Sequence, residues 1–490
     1  MPFGYWFSSF EGAVDSSDAE DETAKEEAPK EPVDEGDENS TYYISNADEL
    51  STLKRKGTYI LTADIDMTGR EWTPVGTYSA PFIGTLNGNG FTIKGLTVTK
   101  DTEGEGECIS YTYTYAGLIG YAENATITAL KLEDINIAIN SSAKTRVVYA
   151  SAIAAMTKNT VITDCHVISG SITSASPLFK AYSAGITAFS FDSDFIGCTV
   201  NADIAVTSSN VTSVAGGILA HAAMNTQTGA CSVLGSVSAL SIDGNAYTGG
   251  IVGYSNNSDI SNCAVNADVK AETQCNDYET GKAGASYAGG ILGYHSNTLT
   301  NQKNISAVSS SGTVTALSAD YVSYAGGICA YMAYASLTQG YSTSTIVSDS
   351  DTREAFSGGI IGYLSTKSNI SGMFFAGSLN VNTTRDIART GIIVAFDATE
   401  DTTTPTTIEN CGYLELSSLS VTINGKKYSA ENKLPEKERF TSHGEDYEAA
   451  SLKSRNILTS DLKWNSDDWS FSISDYPTVT LRNTFSTENG

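Results

Sequence analysis

The 490-residue chain is short of cations: 29 Lys and Arg stand against 56 Asp and Glu, a formal net charge of −27. Nucleic acid as a partner is excluded, because phosphate binding needs clustered Lys and Arg. Electrostatic docking to an anionic membrane is excluded for the same reason. Long apolar runs are also missing. Nothing approaches the ~18 continuous apolar residues of a spanning helix, so no membrane insertion is expected. Met1 to Phe10 is apolar but has neither a basic n-region nor a continuous h-region, so it is not read as a signal peptide. Charged residues make up only 17% of the chain, while Gly reaches 44 residues. Ser, Thr, Asn and Gly must then supply most of the polar surface, the composition of a β-rich secreted protein.

What the chain has is a repeat. Tyr115-Ala-Gly-Leu-Ile-Gly-Tyr121 returns as Tyr247-Thr-Gly-Gly-Ile-Val-Gly-Tyr254, Tyr287-Ala-Gly-Gly-Ile-Leu-Gly-Tyr294, Tyr324-Ala-Gly-Gly-Ile-Cys-Ala-Tyr331 and Phe356-Ser-Gly-Gly-Ile-Ile-Gly-Tyr363. Weaker copies lie at Tyr149 to Ala155, Tyr182 to Ala188, Val214 to Ala220 and Thr390 to Phe396. The first aliphatic residue after the glycines is Leu118, Ile153, Ile186, Ile218, Ile251, Ile291, Ile328, Ile360 and Ile392, at spacings of 35, 33, 32, 33, 40, 37, 32 and 32. A second β-branched run follows each phrase, such as Ile162-Thr-Asp-Cys165 or Ile260-Ser-Asn-Cys263, and then a third with period-two alternation, such as Val265-Asn-Ala-Asp-Val269. Short runs of this kind between Gly, Asn, Ser and Asp are strands and turns. Two or three strands per ~33 residues make one coil of a parallel solenoid. No amphipathic helical run appears between Leu96 and Val421.

The expected fold is all-β: a right-handed parallel β-helix of about nine repeats, with a short N-terminal capping helix and a C-terminal cap. A repeat array also explains how 490 residues fold without one oversized core. Residues 1–40 read as an acidic disordered leader, 41–100 as cap helix and lead-in strands, 101–423 as the repeats, and 424–490 as a charged segment and Trp-rich cap. Asn46-Ala-Asp-Glu49 is a capping box that opens a helix carrying Leu50 and Leu53 and ending near Gly57. Trp464, Trp469 and Pro477 suit a plug over the last coil. The paired glycines read as a corner needing close backbone approach. A phosphate cradle would need a following helix and a lysine, and has neither.

The phrase Gly-Gly-Ile-Val-Gly-Tyr with its Asn-Cys strand resembles the GLUG motif of bacterial surface proteins. Asp64-Ile-Asp-Met67, Trp72-Thr-Pro-Val-Gly76 and Phe82 to Ile93 are similar to the segment that precedes those repeats, and Trp464 to Pro477 to their ending. The likeness covers roughly 43–480. It implies a secreted or cell-surface, adhesin-like protein of gut-type bacteria. Some relatives carry the repeats beside an immunoglobulin-A protease domain, but this chain has no His-Glu-x-x-His motif, so that activity is not carried over.

Cys165, Cys198, Cys231 and Cys263 are spaced 33, 33 and 32 apart, and Cys411, Leu130 and Met373 fill the same slot elsewhere. A slot accepting Leu, Met or Cys favours an internal ladder of reduced thiols over disulfides or a metal site. His166 adjoins Cys165 on a strand, so the two face opposite ways. All four histidines, His166, His221, His295 and His443, read as scattered surface residues. For sugar cleavage two carboxylates must flank a cleft. Asp64 and Asp66 share a face in the lead-in, Asp467 and Asp468 lie in the cap, and Asp134, Asp203 and Asp268 read as isolated turn residues. No catalytic cluster, cofactor or metal is expected.

Tyr254, Tyr294, Tyr331 and Tyr363 are the candidate ligand-binding residues. They occupy one site on four successive coils, either as a stacking platform for an extended ligand or as solenoid packing. Length variation falls at 101–113, 272–286 and 317–323, all on one corner, where repeat proteins often bind. The expected function is an adhesin or ligand-binding surface for a glycan or host surface protein, acting as a monomer or as part of a larger surface protein. A polysaccharide-degrading β-helix enzyme and a passive stalk are the alternatives. Leu434-Pro-Glu-Lys-Glu438 departs from a sortase signal at its last two residues.

Overall fold

A computed structural model describes residues 35–102, 112–141, 146–274, 284–297, 303–319, 321–384, 387–399, 406–415, 418–428 and 440–481. Each repeat phrase bends once. Its Tyr-Ala-Gly part, as in Ser286–Gly289, joins a parallel sheet of ten strands, one per coil. Its Leu-Gly-Tyr part, as in Leu292–Ser296, joins a second sheet of nine. The remaining strands, such as Lys303–Ser311 and Thr313–Ser318, build a broad third wall that belongs to a 28-stranded sheet. Equivalent residues pair from coil to coil without slippage, so that Tyr247 faces Tyr287 and Tyr287 faces Tyr324. The result is a parallel β-solenoid of about nine turns, as expected.

The register is held from inside. Leu118 and the eight isoleucines aligned with it are all 0% exposed and share one core cluster. Each such rung contributes about 2 kcal/mol of apolar burial. The paired glycines act by close approach: a Cβ on Gly289 would fall on the carbonyl of Leu292, and one on Gly290 on the carbonyl of Gly327. The cysteine slot is continuous through Leu130, Cys165, Cys198, Cys231, Cys263, Val308, Gly340, Met373 and Cys411. The six described cysteines are buried and unpaired, and burial pushes the Cys165 and Cys231 thiols far up. Cys165 points in while His166 points out and meets the Thr199 hydroxyl at 2.8 Å.

A second ladder was not anticipated. Ser176, Ser208, Ser241, Thr273, Ser318, Ser350 and Thr383 are all buried at the corner joining the third wall to the first. Their hydroxyls tie down the turn: Ser241 Oγ donates to the Val211 carbonyl at 2.7 Å and accepts from Gly244 N at 3.0 Å. Ser350 does the same with Tyr321 and Arg353. This is the corner of variable length, whose residues 103–111, 275–283 and 320 lie outside the described residues. The signal was present in the sequence as one Ser or Thr closing each third strand.

Several expectations need correction. The helix spans only Ala47–Leu50, so it stops well short of Gly57. Asn46 does cap it, accepting from Glu49 N at 3.0 Å, and Leu50 and Leu53 are buried in the core as a lid requires. Asp203 and Asp268 lie within strands; only Asp134, at φ 52°, is a turn residue. His295 is fully buried, because its site on the second wall points inward between Ser255 and Met332. His221 takes an outward site, closed in by Phe189 and Tyr254 at ring distances of 4.4 and 4.8 Å.

The C-terminal residues do not plug the last coil. They run back along the outside of the third wall: Trp464 Nε1 donates to the Gly372 carbonyl at 2.7 Å, Tyr341 Oη to Pro477 at 2.8 Å, and Asn262 Nδ2 to Thr480 at 3.1 Å. These anchors step back from coil to coil, making a strap. Trp464, Trp469, Leu458 and Leu462 cover Tyr341 and Phe374 in a cluster separate from the core. The acidic residues 1–34 and the segment 429–439 lie outside the described residues.

Candidate binding groove

The glycine corner between the first and second walls is concave, and each wall sends one outward side chain per coil to its rim. On the first wall these are Tyr115, Tyr149, Tyr182, Val214, Tyr247, Tyr287, Tyr324, Phe356 and Arg389. On the second they are Tyr121, Met156, Phe189, His221, Tyr254, Tyr294, Tyr331, Tyr363 and Phe396. The structure therefore brings together the four sequence-chosen tyrosines, and adds a facing ladder that sequence reasoning had treated only as the start of each phrase.

The two ladders meet at right angles. Along the second wall, Tyr254, Tyr294, Tyr331 and Tyr363 stack with centroids 4.9, 4.6 and 5.3 Å apart and planes within 7°. Along the first, Tyr247, Tyr287 and Tyr324 stack at 4.6 and 4.9 Å. Across the corner the contacts are edge-on, at 84° for Tyr247 with Tyr254 and 87° for Tyr287 with Tyr294. Both arrangements suit the ring quadrupole. The spacing is simply the ~4.8 Å separation of paired strands.

This geometry changes what the ladder can offer. Stacking neighbours occupy the ring faces in the interior of the row, so what remains accessible is ring edge and phenol oxygen. Tyr254, Tyr294 and Tyr363 are half-buried and Tyr331 is 9% exposed. Burial pushes the Tyr294 and Tyr331 phenols up. Burial, then the neighbouring phenol of Tyr331, pushes Tyr254 and Tyr363 up to about 12, so the row stays neutral. The strands that carry the row are neutral as well. The paired strands from Ala246–Gly249 to Ile361–Leu364 contain no Asp, Glu, Lys or Arg.

The other candidate residues do not gather into a site. Asp64 accepts from Thr92 N, 28 residues on, and so ties one coil to the next, while Asp66 accepts from Thr68 N within a local turn. Among the described residues, no three of His, Cys, Asp and Glu group as metal ligands would. No helix among them is long and apolar enough to cross a membrane.

No protein family and no curated protein matches this sequence. Among solved structures, a candidate immunoglobulin A1 protease from Bacteroides ovatus aligns over 91% of this chain and 94% of its own, with 18% identity and a TM-score of 0.32. An alignment this loose carries no argument about activity. The fold rests on the chain's own strand pairing.

Proposed function

We propose that this solenoid is a binding surface of adhesin type on a secreted or cell-surface bacterial protein, and that an extended ligand, a glycan or a host surface protein, lies along the aromatic groove. The observation that carries this is the groove itself: a neutral row of tyrosine edges and hydroxyls, outside the core, on a chain of net charge −27. Resemblance of the repeat phrase to GLUG-motif surface proteins supports the same reading. Backbone donors and acceptors of the walls are used between coils, so an edge-on strand cannot add there. Recognition falls to the side chains, chiefly Tyr254, Tyr294, Tyr331 and Tyr363. Binding to a glycan array and to host matrix proteins, measured for the native chain and for a Tyr294→Ala, Tyr331→Ala double variant, tests the reading. Loss in the variant supports it; full binding by the variant removes the groove from the account.

A further inference from the structure

Among the described residues, the first-wall ladder ends on a cation. After Phe356 the next rung is Arg389, whose guanidinium lies 4.5 Å from the ring centroid of Phe396 and 6.0 Å from that of Phe356. The planar group thus continues the aromatic stack and is held in a fixed orientation by it. It breaks a run of four coils in which neither wall carries a charged residue on its strands. Its one ion pair among the described residues is loose. Arg389 Nη2 stands 3.7 Å from Glu354 Oε1, whereas the other described pairs close to between 2.6 and 3.3 Å. The Arg389 side chain keeps 21% of its surface exposed, while its Nε is enclosed and makes no hydrogen bond. A guanidinium offers five donors in a fork that matches a carboxylate. Here the terminal Nη groups, held only by the loose pair to Glu354, carry that capacity at the end of a groove lined with hydroxyls.

We propose that the groove is directional and takes a carboxylate-bearing glycan, with an acidic sugar at Arg389 and the chain running over Tyr363, Tyr331 and Tyr294. This rests on the groove reading above and names its ligand class. A glycan is favoured over an acidic peptide because it presents hydroxyls at every residue to the phenol and serine row, while a peptide's main chain finds no free backbone partner on either wall.

The test is a titration of the full chain with an oligogalacturonide, with the neutral galacto-oligosaccharide of equal length, and with an oligo-glutamate peptide. The acidic glycan is expected to bind about tenfold tighter than the neutral one, as one charge-assisted contact would give. Arg389→Gln should lower acidic binding to the level of the neutral glycan and so erase that difference. Glu354→Gln, which removes the competing carboxylate, should tighten acidic binding several-fold, a gain that misfolding cannot mimic. Equal affinity for acidic and neutral glycans, or an acidic preference untouched by both variants, overturns the Arg389 subsite while leaving the groove. Binding of the peptide in preference to both glycans overturns the ligand class. Glycan binding unchanged by Tyr294→Ala with Tyr331→Ala overturns the groove reading itself.

Discussion

The solenoid carries two aromatic clusters outside its core, and the chain treats them differently. Tyr341 and Phe374, on the third wall, are sealed under Trp464 and Trp469 by the returning strap. The tyrosines of the concave corner have no such cover among the described residues and protect one another by stacking and edge-on packing. Aromatic rings placed only for stability are best fully dehydrated, and the strap does that. Tyr254, Tyr287, Tyr294, Tyr324 and Tyr363, left half-buried, give up part of that gain, although Tyr247 and Tyr331 between them are buried. The contrast separates a packing surface from a surface kept available.

The largest expected effect falls on the covered cluster. Trp464 stacks on Trp469 at 4.1 Å and donates to Gly372, so Trp464→Ala should destabilise the strap by about 3–5 kcal/mol. Hydrogen exchange should show Leu458 to Val479 opening while the early coils stay protected. A uniform loss of protection along all coils would mean that the strap is integral to the array.

Next comes the buried histidine. Burial holds the His295 imidazole down to about 4, against ~6.5 in an unfolded chain. The folded chain therefore binds fewer protons than the unfolded one below pH ~6.5. Its contribution to stability is intact above that pH and is lost as the pH falls toward about 4, by then on the order of 3 kcal/mol. His295→Met, which extends the Met332 rung, should flatten the acid limb of a denaturation series across that window. An unchanged limb would mean the imidazole is not enclosed. His221, among the open rings, is held down to about 3, by burial and then by Lys180, so it stays neutral in the same window.

Tyr294→Ala removes two stacking neighbours and the edge contacts of one half-buried ring, and should cost less, about 1–2 kcal/mol. A cost equal to that of Trp464→Ala would make the groove a second packing cluster and weaken the contrast. The smallest effect is on the thiols. Cys165, Cys198, Cys231 and Cys263 should resist alkylation at pH 8 in the native chain and react fully in denaturant, read by peptide mapping.

The sequence made the array legible because a solenoid repeats its constraints. One aliphatic rung, one thiol slot and one glycine corner per coil report the same register again and again, and spacings of 32 to 40 residues leave little else to infer. Residues whose role depends on what returns from elsewhere were not legible. Trp464 and Pro477 show two aromatic anchors and a chain stop, but not that the segment turns back over Tyr341, 136 residues away from Pro477. His295 looked like a surface residue because polar letters alternate outward on most strands, and only the register places it inside. The four tyrosines were found from spacing alone. That their faces are filled by one another, leaving edges and hydroxyls, follows from the ~4.8 Å rise between coils and needed the facing ladder to be seen.

The most direct test is a footprint. With a bound glycan identified from the array, hydroxyl-radical labelling of the native chain should fall at Tyr254, Tyr294, Tyr331 and Tyr363 and stay unchanged at Phe471 and Tyr476 on the strap. Protection confined to the third wall or the strap, with the four tyrosines labelled as before, would contradict the account.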